Sequence, residues 1–418
     1  MKTSFPKNKI RVFLVEGIHP RAEAMFREEG FAVDAHDKSL SGPALERALA
    51  GAHVLGIRSK TEVDAPALGR AARLLALGCF CIGTNQVDAH AAASRGIPVF
   101  NSPFSNTRSV AELTIAEVIA LFRDLAGKNE RLHRGEWDKS AGGAHEVRGR
   151  TLGIVGYGRI GSQVSVLAEA MGMRVLFFDI ARRLALGNAR PVRTLDELLG
   201  QSDAVTLHVP ATERTERMIG RAQLRKMKKG AYLINNARGT VVDVPALAES
   251  IREKRLAGAA IDVFPVEPAG KGERFESELR ALPGVILTPH IGGSTEEAQE
   301  AIAADAAEKL IRFINAGVTS GAVNVPEVDL PAQDAEADHA APGAPRRHRI
   351  LHFHRNVPGV LSKMHAVIAQ LGVNIAGEYL QTRGDVGYVV LDVSPGKTDR
   401  IVRSLSDLPE TIRVRELW

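Results

Sequence analysis

Apolar and polar positions along the first three quarters of this chain alternate between two rhythms. Short apolar runs are followed by stretches whose apolar residues recur three and four apart. From residue 10 to 100 the apolar runs are I-R-V-F-L-V-E, F-A-V-D-A, H-V-L-G-I-R-S and L-L-A-L-G-C-F-C, with helical stretches between them, one from about Arg21 to Glu29. Ser105 to about His133 reads as one long helix, with Ser109, Val110, Leu113, Leu121, Phe122 and Leu125 along it. A second series of apolar runs follows, A-V-T-L-H-V-P, A-Y-L-I-N-N-A-R-G, A-G-A-A-I-D-V-F and V-I-L-T-P-H, each ending in polar residues. Strands alternating with helices imply parallel β-α units, and open parallel sheets bind ligands beyond the carboxyl ends of their strands.

The rhythm changes twice more. Leu330 to His348 is rich in proline, alanine and charge without periodicity, and reads as a linker. Residues 349–418 then read strand, helix, strand, strand, helix, strand, the βαββαβ order of a ferredoxin-like domain.

The most informative stretch is Thr151 to Asp179. A short strand runs into G-Y-G-R-I-G, where Gly156, Gly158 and Gly161 allow a tight turn, close approach of a pyrophosphate, and packing of the next helix on the sheet. That helix carries Ile160, Val164, Leu167 and Met171 on one stripe, and its first amides face the phosphates. The next strand ends in Asp179, whose carboxylate suits a ribose diol and repels a 2′-phosphate. NAD is therefore expected over NADP, with Arg182 and Arg183 working against that preference. The fold class expected is α/β: a Rossmann NAD domain, 106–294, inserted in a flavodoxin-like doubly wound domain, 1–105 plus 295–328. A linker, 329–348, and the small domain, 349–418, complete the chain. Hinges are expected near Pro103 and Ser294.

Composition narrows the classes. Hydrophobic residues at 44% and charged residues at 25% match a soluble globular protein, and no apolar run nears the ~20 residues of a membrane span. The first residues lack the apolar core of a signal peptide, so a cytoplasmic location is expected. Cys79 and Cys81 are too few for a metal site and read as free thiols. The net charge of +5 comes from scattered residues without a recognition motif, which favours anionic small molecules over nucleic acid.

The strand ends carry the chemistry. Arg238 can pair with a substrate carboxylate and polarise a carbonyl oxygen. His290 can exchange the hydroxyl proton, and Glu267, if it meets the far ring nitrogen, fixes the tautomer. Asp262 can accept from a nicotinamide amide. This set suits hydride transfer at a 2-hydroxy acid. Arg58, Ser59, Lys60, Asn106 and Arg108 follow strands of the first series and offer charge and polarity to an anion.

G-Y-G-R-I-G, N-A-R-G-T-V-V-D, A-I-D-V-F-P-V-E-P and T-P-H-I-G-G-S-T resemble the D-isomer-specific 2-hydroxyacid dehydrogenase family. Within it, C-F-C-I-G-T-N-Q-V-D, P-F-S-N-T-R-S-V-A-E and H-F-H-R-N-V-P-G-V-L resemble the bacterial branch that oxidises 3-phosphoglycerate and ends in a serine-binding ACT domain. The resemblance implies NAD-dependent formation of 3-phosphohydroxypyruvate, the first committed step of serine synthesis, with 2-oxoglutarate as an alternative substrate. It gives Arg238, Glu267 and His290 the catalytic roles. Gly156, Gly158, Arg159, Ile160, Gly161, Asp179, Asn236, Ala237, Asp262, Gly292 and Gly293 inherit the cofactor, and Arg58, Ser59, Lys60 and Asn106 the substrate. It also implies L-serine as effector at His354, Asn356 and Asn374, between paired ACT domains, and a homotetramer. Trp137 is expected either in a subunit contact or in the chain's own core. Some members of this fold are NAD-sensing corepressors, a reading that the set of substrate cations opposes.

Overall fold

The computed structural model describes residues 5–268, 272–330 and 347–417 of the 418. Most of the expected linker, residues 331–346, lies outside the described residues. The chain divides into two compact units, Met1–Ser105 with Gln299–Trp418, and Asn106–Ala298.

The first unit opens with β1 (Arg11–Leu14), β2 (Ala32–Ala35), β3 (Val54–Ile57), β4 (Ala76–Cys79) and β5 (Val99–Asn101). They form a parallel sheet in the order β2-β1-β3-β4-β5, the flavodoxin-like order, whose switch point lies between β1 and β3. Strands β3 and β4 are buried along their whole length, as parallel strands covered on both faces must be.

The second unit holds β6 (Thr151–Val155), β7 (Arg174–Phe178), β8 (Arg190–Pro191), β9 (Ala204–Leu207), β10 (Tyr232–Asn235), β11 (Gly258–Ile261) and β12 (Val285–Leu287). Their order, β12-β11-β10-β9-β6-β7-β8, is that of a doubly wound nucleotide-binding sheet with its switch point between β6 and β9. The long helix expected from Ser105 is two helices, Thr107–Arg123 and Leu125–His133. Asp124 between them has φ +48°, a left-handed conformation that aspartate tolerates, and its carboxylate takes a 2.7 Å bond from Arg131. The return helix is Glu296–Ala316, and the unit boundary falls inside it, before Gln299, rather than ahead of it at 295. Thr295 caps its first turn by accepting from the Ala298 amide and meets the Ser109 hydroxyl at 2.8 Å, which ties that turn to the second unit. Ile302, Ala303, Ala306, Leu310 and Phe313 further along belong to the core of the first.

Strands β13 (His348–Arg355), β14 (Ile375–Arg383), β15 (Val386–Val393) and β16 (Thr411–Leu417) form an antiparallel sheet, β14-β15-β13-β16, with helices Val360–Gln370 and Thr398–Ser406. This is the expected ferredoxin-like arrangement, and one face of it has its own core around Val360, Met364, Ile368 and Ile401. The other face is not separate. Leu351, Phe353, Val386, Tyr388, Val390 and Leu417 share one core with the return helix. Donors from the sheet also meet carbonyls at the end of that helix: Arg415 reaches Ile314 at 2.6 Å, Arg349 Ala316 at 3.1 Å, and the Tyr388 hydroxyl Gly317 at 2.7 Å. Arg413 donates to the Leu74 carbonyl. Cations at a helix C-terminus also complement its dipole. Arg349 is 1% exposed and pays for its burial with two bonds to Asp392, 2.7 and 2.8 Å.

In the second unit the helix Thr107–Arg123 buries Glu117, whose Oε2 accepts from Asn236 Nδ2 at 2.7 Å. The same amide donates to Thr114 at 3.1 Å. Burial, opposed by the Asn236 bond and reinforced by the charge of Asp262, pushes the Glu117 carboxyl up to about 7.

Two expectations follow. Asp392→Asn removes the carboxylate charge that faces Nε and Nη2 of buried Arg349, and should cost about 3–5 kcal/mol in the guanidinium unfolding of the full chain. A loss below about 0.5 kcal/mol would remove this pair from the contacts that secure the sheet. Glu117 keeps its proton to about pH 7 when folded and releases it near 4.5 when unfolded, so the folded chain binds the extra proton between those values. Stability contributed by that proton falls as pH rises through this window, by on the order of 3 kcal/mol, and is flat above it. Glu117→Gln should flatten the fall, which melting curves from pH 4.5 to 8 will read. An unchanged slope refutes the assignment.

Candidate active site

The G-Y-G-R-I-G turn follows β6 and runs into the helix Arg159–Ala170, with Gly158 as its N-cap. Gly156 has φ +91°, and a Cβ there would stand 2.4 Å from the His208 carbonyl oxygen on the far side of the switch point. A Cβ on Gly161 would meet the Gly156 carbonyl at 2.2 Å, so that glycine is needed for helix and turn to touch. A Cβ on Gly158 meets nothing within 4 Å, which leaves the helix N-terminus open to a phosphate. Arg159 and Ile160 form the first turn of that helix. Asp179 is joined to the turn itself: one oxygen accepts from the Tyr157 amide at 2.8 Å, the other from Ala181 at 2.8 Å. Arg183 lies 3.4 Å from the first oxygen, so its charge is partly matched by Asp179.

Beside this cradle the ends of β10, β11 and β12 converge. Gly239 follows Arg238, and a Cβ on it would lie 1.9 Å from the Phe264 carbonyl carbon, so the N-A-R-G turn rests directly on D-V-F-P. Phe264 in turn donates its amide to Glu267 Oε1 at 3.1 Å. Glu267 Oε2 meets His290 Nδ1 at 2.8 Å. His290 has φ +56°, and its conformation is set from Asp262: the His290 amide donates to the Asp262 carbonyl at 2.8 Å, and the Asp262 carboxylate accepts from Thr288 at 2.6 Å and from Ile291 and Gly292 at 2.8 Å each. The Asp262 carboxylate thus builds the turn that carries His290. A Cβ on Gly293 would strike Asn106 Nδ2 at 2.3 Å, which packs the turn on the start of the helix Thr107–Arg123.

The pair is polarised. The hydrogen bond that His290 donates to Glu267, against burial and with the charges of Glu267 and Asp262, raises the His290 imidazole above its ordinary value. Burial pulls the Glu267 carboxyl up. The bonds from His290 and the Phe264 amide, with the charges of His290 and Arg238, outweigh it and leave the carboxyl below its usual range. A neutral His290 that donates Nδ1–H to Glu267 presents Nε2 as an acceptor. Arg238 donates to its neighbour Ala237's carbonyl at 2.7 Å, and Asn236 Nδ2 donates to Glu117 at 2.7 Å, while Asn236 Oδ1 has no partner among the described residues. Thr114, Glu117 and Thr288 escaped the sequence reading, because nothing in their own spacing marks a buried partner of a distant strand end.

Arg58, Ser59 and Lys60 stand in the first unit, just after β3 at its switch point, whereas Asn106 caps the helix Thr107–Arg123 in the second. In the ferredoxin-like sheet, His354 and Asn356 line a cavity of about 580 Å³ with Pro358, Gly359, Leu380 and Thr382. His354 is 3% exposed; its Nδ1 bonds the Arg355 carbonyl at 2.8 Å, and Nε2 has no partner among the described residues. Asn374 does not line this cavity; it precedes β14, and its carbonyl accepts from Ser394. Trp137 is 81% exposed, which excludes a place in the core. No helix is long and apolar enough to cross a membrane, and no cluster of metal-ligating residues occurs, among the described residues.

Residues 115–292 match the family model of the D-isomer specific 2-hydroxyacid dehydrogenase NAD binding domain, and residues 350–413 an ACT domain of the AHAS small subunit type. D-3-phosphoglycerate dehydrogenase of Haemophilus influenzae is 48% identical over 418 residues, covering 100% of this chain and 99% of that one. The enzyme of the same name from Escherichia coli is 47% identical over 420 residues, with full coverage of both. Among solved structures, a D-lactate dehydrogenase from Sporolactobacillus superposes with a TM-score of 0.65 at 31% identity, over 75% of this chain and 99% of that one. The D-lactate dehydrogenase of Aquifex aeolicus, complexed with NAD and lactic acid, gives 0.63 at 29% identity, over 72% and 95%. The glycine turn, the acid that follows it and the ordered strand ends are therefore those of an NAD-dependent enzyme, and this chain belongs to the D-isomer-specific 2-hydroxyacid dehydrogenases, in the D-3-phosphoglycerate dehydrogenase branch that carries an ACT domain.

Proposed function

We propose that the chain oxidises 3-phospho-D-glycerate to 3-phosphohydroxypyruvate with NAD, the first step of L-serine biosynthesis. The observation that carries this reading is the 2.8 Å Glu267–His290 pair beside Arg238, at the strand ends of an NAD-binding domain. Similarity over full length to enzymes named for this reaction supports the choice of substrate. In this reading the Arg238 guanidinium pairs with the substrate carboxylate and draws on the C2 oxygen. His290 Nε2 takes the proton of the C2 hydroxyl, and Glu267 stabilises the imidazolium that results. NAD, which Gly156, Gly158, Gly161 and Asp179 would hold, would supply the hydride acceptor. Arg58, Ser59 and Lys60 meet the phosphate, and Asn106 the substrate's polar face. The second carboxylate of 2-oxoglutarate suits the same cations, which extends the reading to its reduction.

L-serine is the proposed effector, bound at His354 and Asn356, where a bare imidazole nitrogen can accept from an ammonium or hydroxyl group. Asn374 would then come from a partner copy, through pairing of ACT domains. A second contact through the nucleotide unit, with exposed Trp137 and Leu132, would complete a homotetramer. The thiols of Cys79 and Cys81 suit the cytoplasm.

NADH formation from 3-phosphoglycerate should fall about 10²–10⁴-fold in His290→Ala. Because the base must be neutral and its value is raised, kcat/KM for oxidation should climb with pH through a limb above 6.5. Glu267→Gln should move that limb down. A limb that stays in place would separate Glu267 from the proton transfer. Wild type that reduces 2-oxoglutarate but leaves 3-phosphoglycerate untouched would overturn the substrate. Initial rate should drop on titration with L-serine, and His354→Ala should abolish the response. An unchanged wild-type rate at saturating serine refutes the regulatory reading.

A further inference from the structure

Glu16 belongs to none of the roles above, yet it is buried to 9% exposure at the switch point of the first sheet. It follows β1 with φ +65°, and Gly17 after it has φ +61°, so the chain turns sharply there. A left-handed conformation is unfavourable for a residue with a Cβ. It is held by the Glu16 amide on the Lys38 carbonyl at 3.2 Å and the Gly17 amide on His36 at 3.1 Å. The turn aims the side chain across the switch point at the loop after β3. There Oε1 accepts from the Arg58 amide at 3.2 Å and the Thr61 amide at 2.8 Å, and Oε2 from the Lys60 amide at 3.0 Å.

Three backbone donors converging on one anion form a nest, a shape that binds phosphate in other proteins. Here the nest is filled by the chain's own carboxylate, so an anionic ligand must be met by side chains. The Glu16 carboxylate meets the loop through the loop's backbone amides. Among the described residues no ion pair joins its carboxylate to Arg58 or Lys60, although Arg58 Nη1 reaches the Glu16 carbonyl at 3.5 Å. Two further bonds fix the same loop: Gln86 Nε2 donates to the Arg58 carbonyl, and the Leu40 amide donates to Thr61 Oγ1 at 3.2 Å. The backbone is therefore set without an ion pair between the Glu16 carboxylate and either cationic head, and Arg58 gives only Nη1 to the Glu16 carbonyl.

We infer that Glu16 is the positioning residue for recognition of the substrate's phosphate: its carboxylate, bound to the Arg58, Lys60 and Thr61 amides, preorganises the loop that presents Arg58 and Lys60. The inference rests on the reading that these two cations meet the phosphate. It assigns Glu16 a part in selecting phosphorylated substrates over bare hydroxy acids, and none in the chemistry at C2.

Steady-state reduction of 3-phosphohydroxypyruvate and of hydroxypyruvate, which lacks the phosphate, tests this with the full chain and NADH. In Glu16→Gln the KM for phosphohydroxypyruvate should rise about tenfold or more, with kcat within about twofold and kcat/KM for hydroxypyruvate unchanged. Glu16→Asp, which withdraws the carboxylate by one methylene, should show the same selective loss and serves if the glutamine variant folds poorly. The double variant Arg58→Ala with Lys60→Ala is the control for the underlying reading. If it loses the preference for phosphate while both Glu16 variants keep it, the inference is overturned and the reading stands. If the double variant keeps the preference, both fall. An equal loss on the two substrates in the Glu16 variants makes Glu16 merely structural and also overturns the inference.

Discussion

The carboxylate of Asp262 is the fixed point of the second unit. It sits at the end of β11, 1% exposed, and gathers a hydroxyl and two amides from the turn after β12. Those bonds, with the His290 amide on the Asp262 carbonyl, hold His290 in a left-handed conformation. With the backbone so constrained, the ring reaches Glu267, and Glu267 is itself held by the Phe264 amide one turn away. Gly239 and Gly293 then let the neighbouring turns close upon this frame without a side chain between them. The polarity of the site follows: Glu267 faces an imidazole whose protonated form it favours, and burial, reinforced by the charge of Asp262, raises the Glu117 carboxyl.

Much of this could be read from the sequence because it is periodic or local. Both parallel sheets and the βαββαβ tail follow from the alternation of apolar runs, and G-Y-G-R-I-G carries its cradle within six letters. The partnership of Glu267 and His290 was expressed as a condition, that the carboxylate reach the far nitrogen, and the geometry meets it. What stayed hidden depends on contacts between distant positions. Glu16 meets amides 42 to 45 residues away, and Asn236 turns to a helix 119 residues earlier. Hydrophobic period says which face of a strand is buried and is silent on which amide a carboxylate will find. The break at Asp124 was missed for a related reason. Aspartate has no signature for the left-handed region as glycine does, and the pairing with Arg131 that stabilises it reads as ordinary helix charge.

The two sheets of the first unit divide their labour by surface. The parallel sheet places a cationic loop over a buried acid at its switch point, and the antiparallel sheet carries a cavity lined by His354 and Asn356 on one side. Between them runs the return helix, whose apolar residues fill a core common to both and whose last carbonyls are closed by arginines from the ACT sheet.

That shared core bears on how such chains can be recombined. A domain joined only by a tether can be exchanged for another sensor by cutting and splicing, but here the sheet is also the wall of its neighbour. Severing it would bare Phe313, Ile314 and Leu310 and strand Arg349 and Arg415 outside their carbonyl partners. A foreign ACT domain grafted at residue 348 would have to supply an aromatic face and two basic side chains in the register of β13 and β16. The unit of inheritance is the joint between the domains, and effector specificity can drift only on the side of the sheet that the joint leaves alone.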